Sequence, residues 1–351
     1  MAALAAIPTA GLLHALEQPP TLDDSSRAWV QSVITTWTTV SREHLRMAPA
    51  PLPWVVFYDE ARAWHLNADA ALLPPTHTAS MSVPDESGQQ HSLHAVLHDN
   101  GLLWLPDTSP LRLDARQPRM FTMPYAGGAR ALSVVPLPSW LRRAVGAEAT
   151  TDPEILISGV AVHEMTHTRH LPDLIRRIGR LRERHPIPAG ITENLVEQTY
   201  ADDAGYTALY RQERDMLIQA AGDLDAQPAA SLHLISRALA LADERRGTYF
   251  RGDRTVFADL EDMFLVLEGV AVWAQFQAGR THAPAGETWQ TTAMNLLHLN
   301  TDWIQEEGFV LFVLIDRLVP GWQARFFEPQ FPSPFVVLRE AVEQRRASPA
   351  P

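Results

Sequence analysis

The sequence contains no cysteine and no lysine. Without cysteine there is no disulfide, no thiolate nucleophile, no iron–sulfur cluster and no Cys-ligated zinc. Without lysine, Schiff-base chemistry, lysine-anchored cofactors and phosphate loops that rely on a lysine are excluded. Positive charge is scarce: 29 basic residues, all arginine, face 41 acidic ones, a formal charge of −12. That balance offers no basic field to nucleic acid or to an anionic membrane surface. No apolar run approaches the roughly 20 residues that span a bilayer. Residues 1–16 are apolar but lack a basic n-region and are broken by Pro8 and Gly11, so they read poorly as a signal peptide. The compartment stays open: cytoplasmic as written, exported if a leader precedes this sequence. Arginine in place of lysine, with abundant alanine and proline, suggests a GC-rich bacterial gene.

What is present suits a soluble globular chain: 351 residues, 46% hydrophobic, enough for one large core or two smaller ones. Residues 1–148 read as a mixed α/β part. A helical pattern over 25–47 carries Trp29, Val33, Ile34 and Trp37 on one face. Short β-type runs follow at 54–58, 94–97, 102–105, 120–125 and 131–137, separated by turn signals such as Asp99-Asn100-Gly101 and Gly127-Gly128. Residues 79–92 are polar and read as an exposed loop. Residues 149–351 are helical almost throughout, with breaks at 186–190, 223–230 and 281–286. Thr151-Asp152-Pro153-Glu154 is a helix start, with a capping acid, proline at the first helical position and an acid in the first turn. The arginine-rich stretch 176–185 reads as a solvated helix face.

The chemistry concentrates at residues 163–167, His-Glu-Met-Thr-His, a match to H-E-x-x-H that chance would supply roughly 0.03 times in such a chain. It lies about three turns into the capped helix, behind apolar residues. Four residues turn a helix through about 400°, so His163 and His167 share one face and can grip one ion. Two imidazoles suit Zn²⁺ at about 2.0–2.1 Å each. Glu164 points about 100° away, too far to be a ligand but close enough to act as general base on a zinc-bound water. A catalytic zinc needs a third protein ligand. His170 is a poor one, since it lies about 10.5 Å along the axis from His163. Glu268 is the better candidate: it is the only charge between Asp262 and Arg280, and a carboxylate in an apolar helix needs a partner. Gly269 beside it would admit another backbone closely, such as the motif helix. Glu193 and Glu197, 26 and 30 residues after His167, are alternatives in a more polar segment. Glu307, before an apolar run, is a third.

This constellation resembles the zincin metallopeptidases, whose active-site helix carries the same motif. Glu268-Gly269-Val270-Ala271-Val272-Trp273 is similar to the third-ligand helix of the gluzincin group, in which His, His and Glu hold the metal. The separation of His167 from Glu268, about 100 residues, exceeds the few tens of the best-known members. The resemblance implies an α+β, zincin-like fold: a β-rich N-terminal part, then the active-site helix, then a mainly α-helical C-terminal part, with a cleft between. It implies a zinc-dependent hydrolase, most simply a metallopeptidase acting on a peptide or protein substrate, with one catalytic Zn²⁺ on His163, His167 and Glu268. The alternative is a non-catalytic zincin-fold protein that binds zinc and a peptide or protein partner. Asp202, Asp203 or Asp262 could support a metal-bound histidine from outside, and Tyr206, Tyr249 and Arg251 are candidate transition-state donors. His91, His94 and His98 cluster in a β region whose alternation divides them between two faces. Trp273, Trp289, Trp303 and Trp322 read as core.

Overall fold

The computed structural model describes residues 21–47, 52–74, 77–98, 102–106, 113–114, 119–145, 153–187, 191–283, 288–299 and 302–347. Helix α1 (Asp24–Thr39) begins where the Asp23 carboxylate accepts the Ser26 N–H at 2.8 Å, and it ends in one wider turn at Val40–His44. Its buried face carries Trp29, Val33, Ile34 and Trp37, the expected helical stripe. The strands are β1 (Trp54–Tyr58), β2 (Arg62–Leu66), β3 (His77–Pro84), β4 (Gln90–Leu97), β5 (Leu102–Leu103), β6 (Leu113–Asp114), β7 (Phe121–Tyr125) and β8 (Arg130–Pro136). Six of them form one sheet in the order β3-β4-β2-β1-β8-β7, while β5 and β6 pair separately. Within the sheet only β1 and β8 run parallel.

Strand β1 is apolar at every position because both faces of the sheet are covered there. Val55 and Phe57 face the main core, where the Trp29 ring meets Phe57 edge-on at 5.6 Å; Trp54, Val56 and Tyr58 face a second cluster with Leu132 and Trp140. Residues 79–92, expected as an exposed loop, instead form most of a hairpin, β3 paired with β4. The Asp85 carboxylate turns it by accepting the Ser87 and Gln89 N–H groups at 2.9 Å each. β3 is the sheet edge and needs little apolar material on its open side, so its polarity hid the strand. β2 lies inside the sheet and is hidden for another reason: Arg62 and His65 break its short apolar run.

The helices that follow are α2 (Pro138–Val145), α3 (Pro153–Arg182), α4 (Leu195–Tyr200), α5 (Ala204–Asp223), α6 (Pro228–Tyr249), α7 (Val256–His282), α8 (Trp289–Leu299), α9 (Trp303–Leu318), α10 (Gln323–Phe326) and α11 (Pro334–Ala347). The architecture is thus mixed α+β, with the sheet in the N-terminal part and helices after it. Among the described residues no helix is long and apolar enough to cross a membrane. The boundary expected near 148, the start signal at Thr151-Asp152, the Asp99-Asn100-Gly101 turn and residues 1–16 lie outside the described residues.

Helix α3 lies between β7 and β8 on one side and α7 on the other. Its turns from Ile157 to Thr168 are buried except at half-buried Val160. α7 is in turn crossed by α9 at a pair of glycines: a Cβ on Gly269 would stand 2.6 Å from the Gly308 carbonyl oxygen. Gly269 therefore admits α9 rather than the motif helix. The contact of α3 with α7 comes elsewhere, where a Cβ on Gly159 would meet the Gln275 side chain at 3.3 Å.

Candidate metal centre

A helix buried on all sides must satisfy every polar side chain it carries. In α3 the hydroxyls of Thr166 and Thr168 donate back to the Val162 and Met165 carbonyls. His163, Glu164 and His167 remain. One helical turn apart, the two histidines bring their Nε2 atoms within 2.9 Å, rings at 89°. α7 delivers Glu268 from across the interface: Oε2 is 3.4 Å from His163 Nε2, and Oε1 is 3.4 Å from His167 Nε2. An ion held tetrahedrally at about 2.0–2.1 Å sets its ligand atoms about 3.3 Å apart. The Nε2–Nε2 distance and the two contacts to the carboxylate, which run to different oxygens of Glu268, lie within a few tenths of an ångström of that figure. All three residues are buried, Glu268 to 5% exposure, and together they form a group that could hold a metal ion.

The electrostatics of the site point the same way. Burial works against an ionised Glu268, yet the two histidines and the Gln305 amide, donating at 3.0 Å, hold its carboxyl down at about 2. Burial also opposes charge on His163, but the hydrogen bond and charge of Glu268, with Glu164 adding to them, lift it above the ordinary histidine value. His167 is pushed down to about 3, mainly by burial, and stays neutral. A proton on the histidine pair is thus the smallest cation that lets this carboxylate remain ionised inside the protein. A divalent ion would replace the proton with more charge and reach all three donors at once.

Glu164 projects from the same helix toward β7. The Thr122 hydroxyl stands 2.7 Å from its carbonyl oxygen and 2.8 Å from its Oε2, with Ser133 Oγ 3.2 Å behind. Burial raises the Glu164 carboxyl to about 7, although His163 and Thr122 pull against that. His163, Glu164, His167 and Glu268 all open onto one cleft of about 640 Å³. Its walls are largely apolar: Phe121 from β7, Leu171, Ile175 and Ile178 from the continuation of α3, and Phe264 and Leu267 from α7.

The other candidates separate cleanly. His170 donates from Nε2 to the Phe326 carbonyl at 3.2 Å and stacks on Phe327 at 4.6 Å, away from the donors. Pro172 does not break α3, which continues to Arg182, so His170 cannot swing back. Glu197 accepts the Trp303 N–H at 3.0 Å, and Glu307 belongs to an arginine cluster with Arg245. Glu193 lines the cleft but is not one of the grouped donors. None of the three aspartates expected to support a histidine does so: Asp203 caps α5, Asp262 binds Arg246 and Ser333, and Asp202 is exposed. No other described residue takes that place, since the outer Nδ1 atoms of His163 and His167 have no hydrogen-bond partner; Gln275 lies near His163 and favours its charged form. None of the expected transition-state donors reaches the cleft. Tyr206 is buried against Arg245 and Glu261, while Tyr249 bonds Asp203 and Arg251 bonds the Gly247 carbonyl at the surface. His91, His94 and His98 bond separately to Asp85, Ser80 and the Glu60 carbonyl. Trp273 and Trp322 are core, and Trp303 stacks on Tyr210.

Sequence reasoning missed Thr122, Gln275 and Gln305. Gln275 lies seven residues after Glu268, on the same helix face, and that spacing was the one available signal; a lone threonine on an edge strand carries none. No family model matches the chain, and no curated protein or solved structure matches it either. The function therefore has to be argued from the site itself.

Proposed function

We propose that the protein is a zinc-dependent hydrolase that cleaves peptide bonds, built on a zincin-like plan. The observation that carries this reading is the convergence of His163, His167 and Glu268 beside a separately held, buried Glu164, all on one cleft. A zinc ion on the three donors would supply Lewis-acid polarisation of a carbonyl and a lowered pKa for water. Glu164, whose carboxyl is lifted toward neutrality by burial, is matched to take a proton from an attacking water and return it to the leaving amine. Thr122 holds that carboxylate toward the cleft. The placement of a tuned acid beside the donors favours turnover over mere binding, because a scaffold has no use for one. Peptides are favoured as substrate because β7, the edge of the sheet, contributes Phe121, Thr122 and Pro124 to the cleft. An extended chain can lie against such an edge.

Glu164→Gln tests the reading. It should keep the bound metal and lose about 10²–10⁴-fold in turnover on a broad peptide panel, the usual contribution of a general base. A variant that hydrolyses peptides as well as the parent would refute the assigned role.

A further inference from the structure

The cleft contains one carboxylate that neither the donor set nor the proton-transfer chemistry uses. Glu193 sits just before α4 and is half-buried on the cleft wall beside Thr192. Four neighbouring acids have donors: Glu197 takes the Trp303 N–H, Glu306 pairs with Arg214 at 2.8 Å, Glu261 with Arg245 and Arg246, and Glu268 with the histidines and Gln305. Glu193 has no such cation or side-chain donor among the described residues. It is also close enough to feel Glu268, Asp302 and His163, and burial together with the two acids pushes its carboxyl up. Its charge therefore stands near the reacting centre, in a cleft lined by apolar side chains from α3 and α7 and, farther along α3, by Arg182.

Partly buried carboxylates in apolar surroundings are costly unless paired, and here the open side faces the space a substrate would fill. We propose that Glu193 is a specificity-determining residue that selects substrates carrying a cationic nitrogen beside the cleaved bond, with an apolar side chain lodged along Leu171, Ile175 and Ile178. The proposal rests on reading this cleft as the place where substrate meets Glu164 and the three donors. The cationic nitrogen has two sources, a free α-ammonium group or a basic side chain, and both present the same chemistry to a carboxylate.

The test is equilibrium binding by calorimetry to the full chain loaded with zinc, in a Glu164→Gln background so that nothing turns over. The probes are leucine amide, N-acetyl-leucine amide and N-acetyl-arginine amide. At least one cationic probe should bind about tenfold more tightly than the neutral one, the usual worth of a charge-assisted hydrogen bond. Adding Glu193→Gln should erase that preference, and Glu193→Lys should reverse it, with zinc content unchanged in both. A preference for leucine amide assigns the pocket to a chain terminus, and one for N-acetyl-arginine amide to a side chain. Equal binding of all three probes, or a preference that survives Glu193→Gln, overturns the proposal. Loss of zinc in Glu193→Gln also overturns it, by making Glu193 a ligand. If the preference holds while the parent chain cleaves no peptide, the recognition role stands and the hydrolase reading alone fails.

Discussion

Two buried carboxylates on α7, Glu261 and Glu268, stand seven residues apart on the same helix face, and the protein treats them in opposite ways. Around Glu261 the chain supplies its own cations. Arg245, fully buried, reaches Glu261 at 2.6 Å and Glu213 at 2.8 Å, and Arg246 joins at 2.7 Å. Tyr206 donates close by, and Arg245, Glu213 and Glu261 are buried and do not line the cleft. Among the described residues no arginine pairs with Glu268, only two imidazoles and an amide, and the group opens onto the cleft. If the site works as proposed, arginine neutralises the carboxylate that serves the fold, whereas Glu268 is left for a cation that can come and go.

The sharpest way to break that contrast is Arg245→Met. Removing the cation strands Glu213 and leaves Glu261 only Arg246, and leaving a buried charge unpaired costs about 3–5 kcal/mol. Denaturant unfolding should show that loss, while the folded fraction keeps its metal affinity. A drop below about 1 kcal/mol would mean that the cluster is solvated and the comparison empty.

Thr122→Val examines the other side. The hydroxyl that steers Glu164 disappears with little change in shape, so turnover should fall about tenfold, the worth of one hydrogen bond to a charged group. Metal content and stability should barely move. Unchanged turnover would show that Glu164 needs no such guide.

The smallest effect concerns pH. Burial, and the proximity and hydrogen bonding of Glu213, raise the Glu307 carboxyl well above its ordinary value, although Arg245 pulls it down. The folded protein thus holds this proton more tightly than the unfolded chain. The resulting stability is fully present below the unfolded carboxyl value of about 4.3 and is lost as pH rises through the folded value. Glu307→Gln keeps a neutral group at every pH. Melting curves at pH 5 and pH 9 should therefore show a smaller loss in the variant than in the parent; parallel losses would remove Glu307 from the account.

Much of the site was legible in the sequence because its signals are local. H-E-x-x-H places two rings by helix periodicity alone, and Glu268 stands out because nothing around it is polar. The strands 54–58 and 131–137 show because their apolar runs are covered, and 120–125 shows by composition although it is an edge strand only partly buried. What stayed hidden depends on tertiary partners. Arg245 sits within Asp243-Glu244-Arg245-Arg246, a stretch that looks like surface yet contains a fully buried guanidinium. Tyr206, a plausible transition-state donor by type, is consumed by that same cluster. Gly269 announced a close approach but not which helix makes it. The hairpin over residues 79–92 is polar because an edge strand can be. Glu193 and Glu197 looked alike in sequence, and only the fold separates an acid that caps a helix start from one that faces the cleft.

The central claim is that His163, His167 and Glu268 together grip one divalent ion. Equilibrium dialysis against zinc, followed by elemental analysis, tests it most directly on the parent chain and on His163→Ala, His167→Ala and Glu268→Ala. One zinc per chain in the parent is expected, with affinity in each variant falling by more than the 10–100-fold typical of outer-shell changes. A parent chain that retains no ion, or three variants that hold zinc as tightly as the parent, would contradict it.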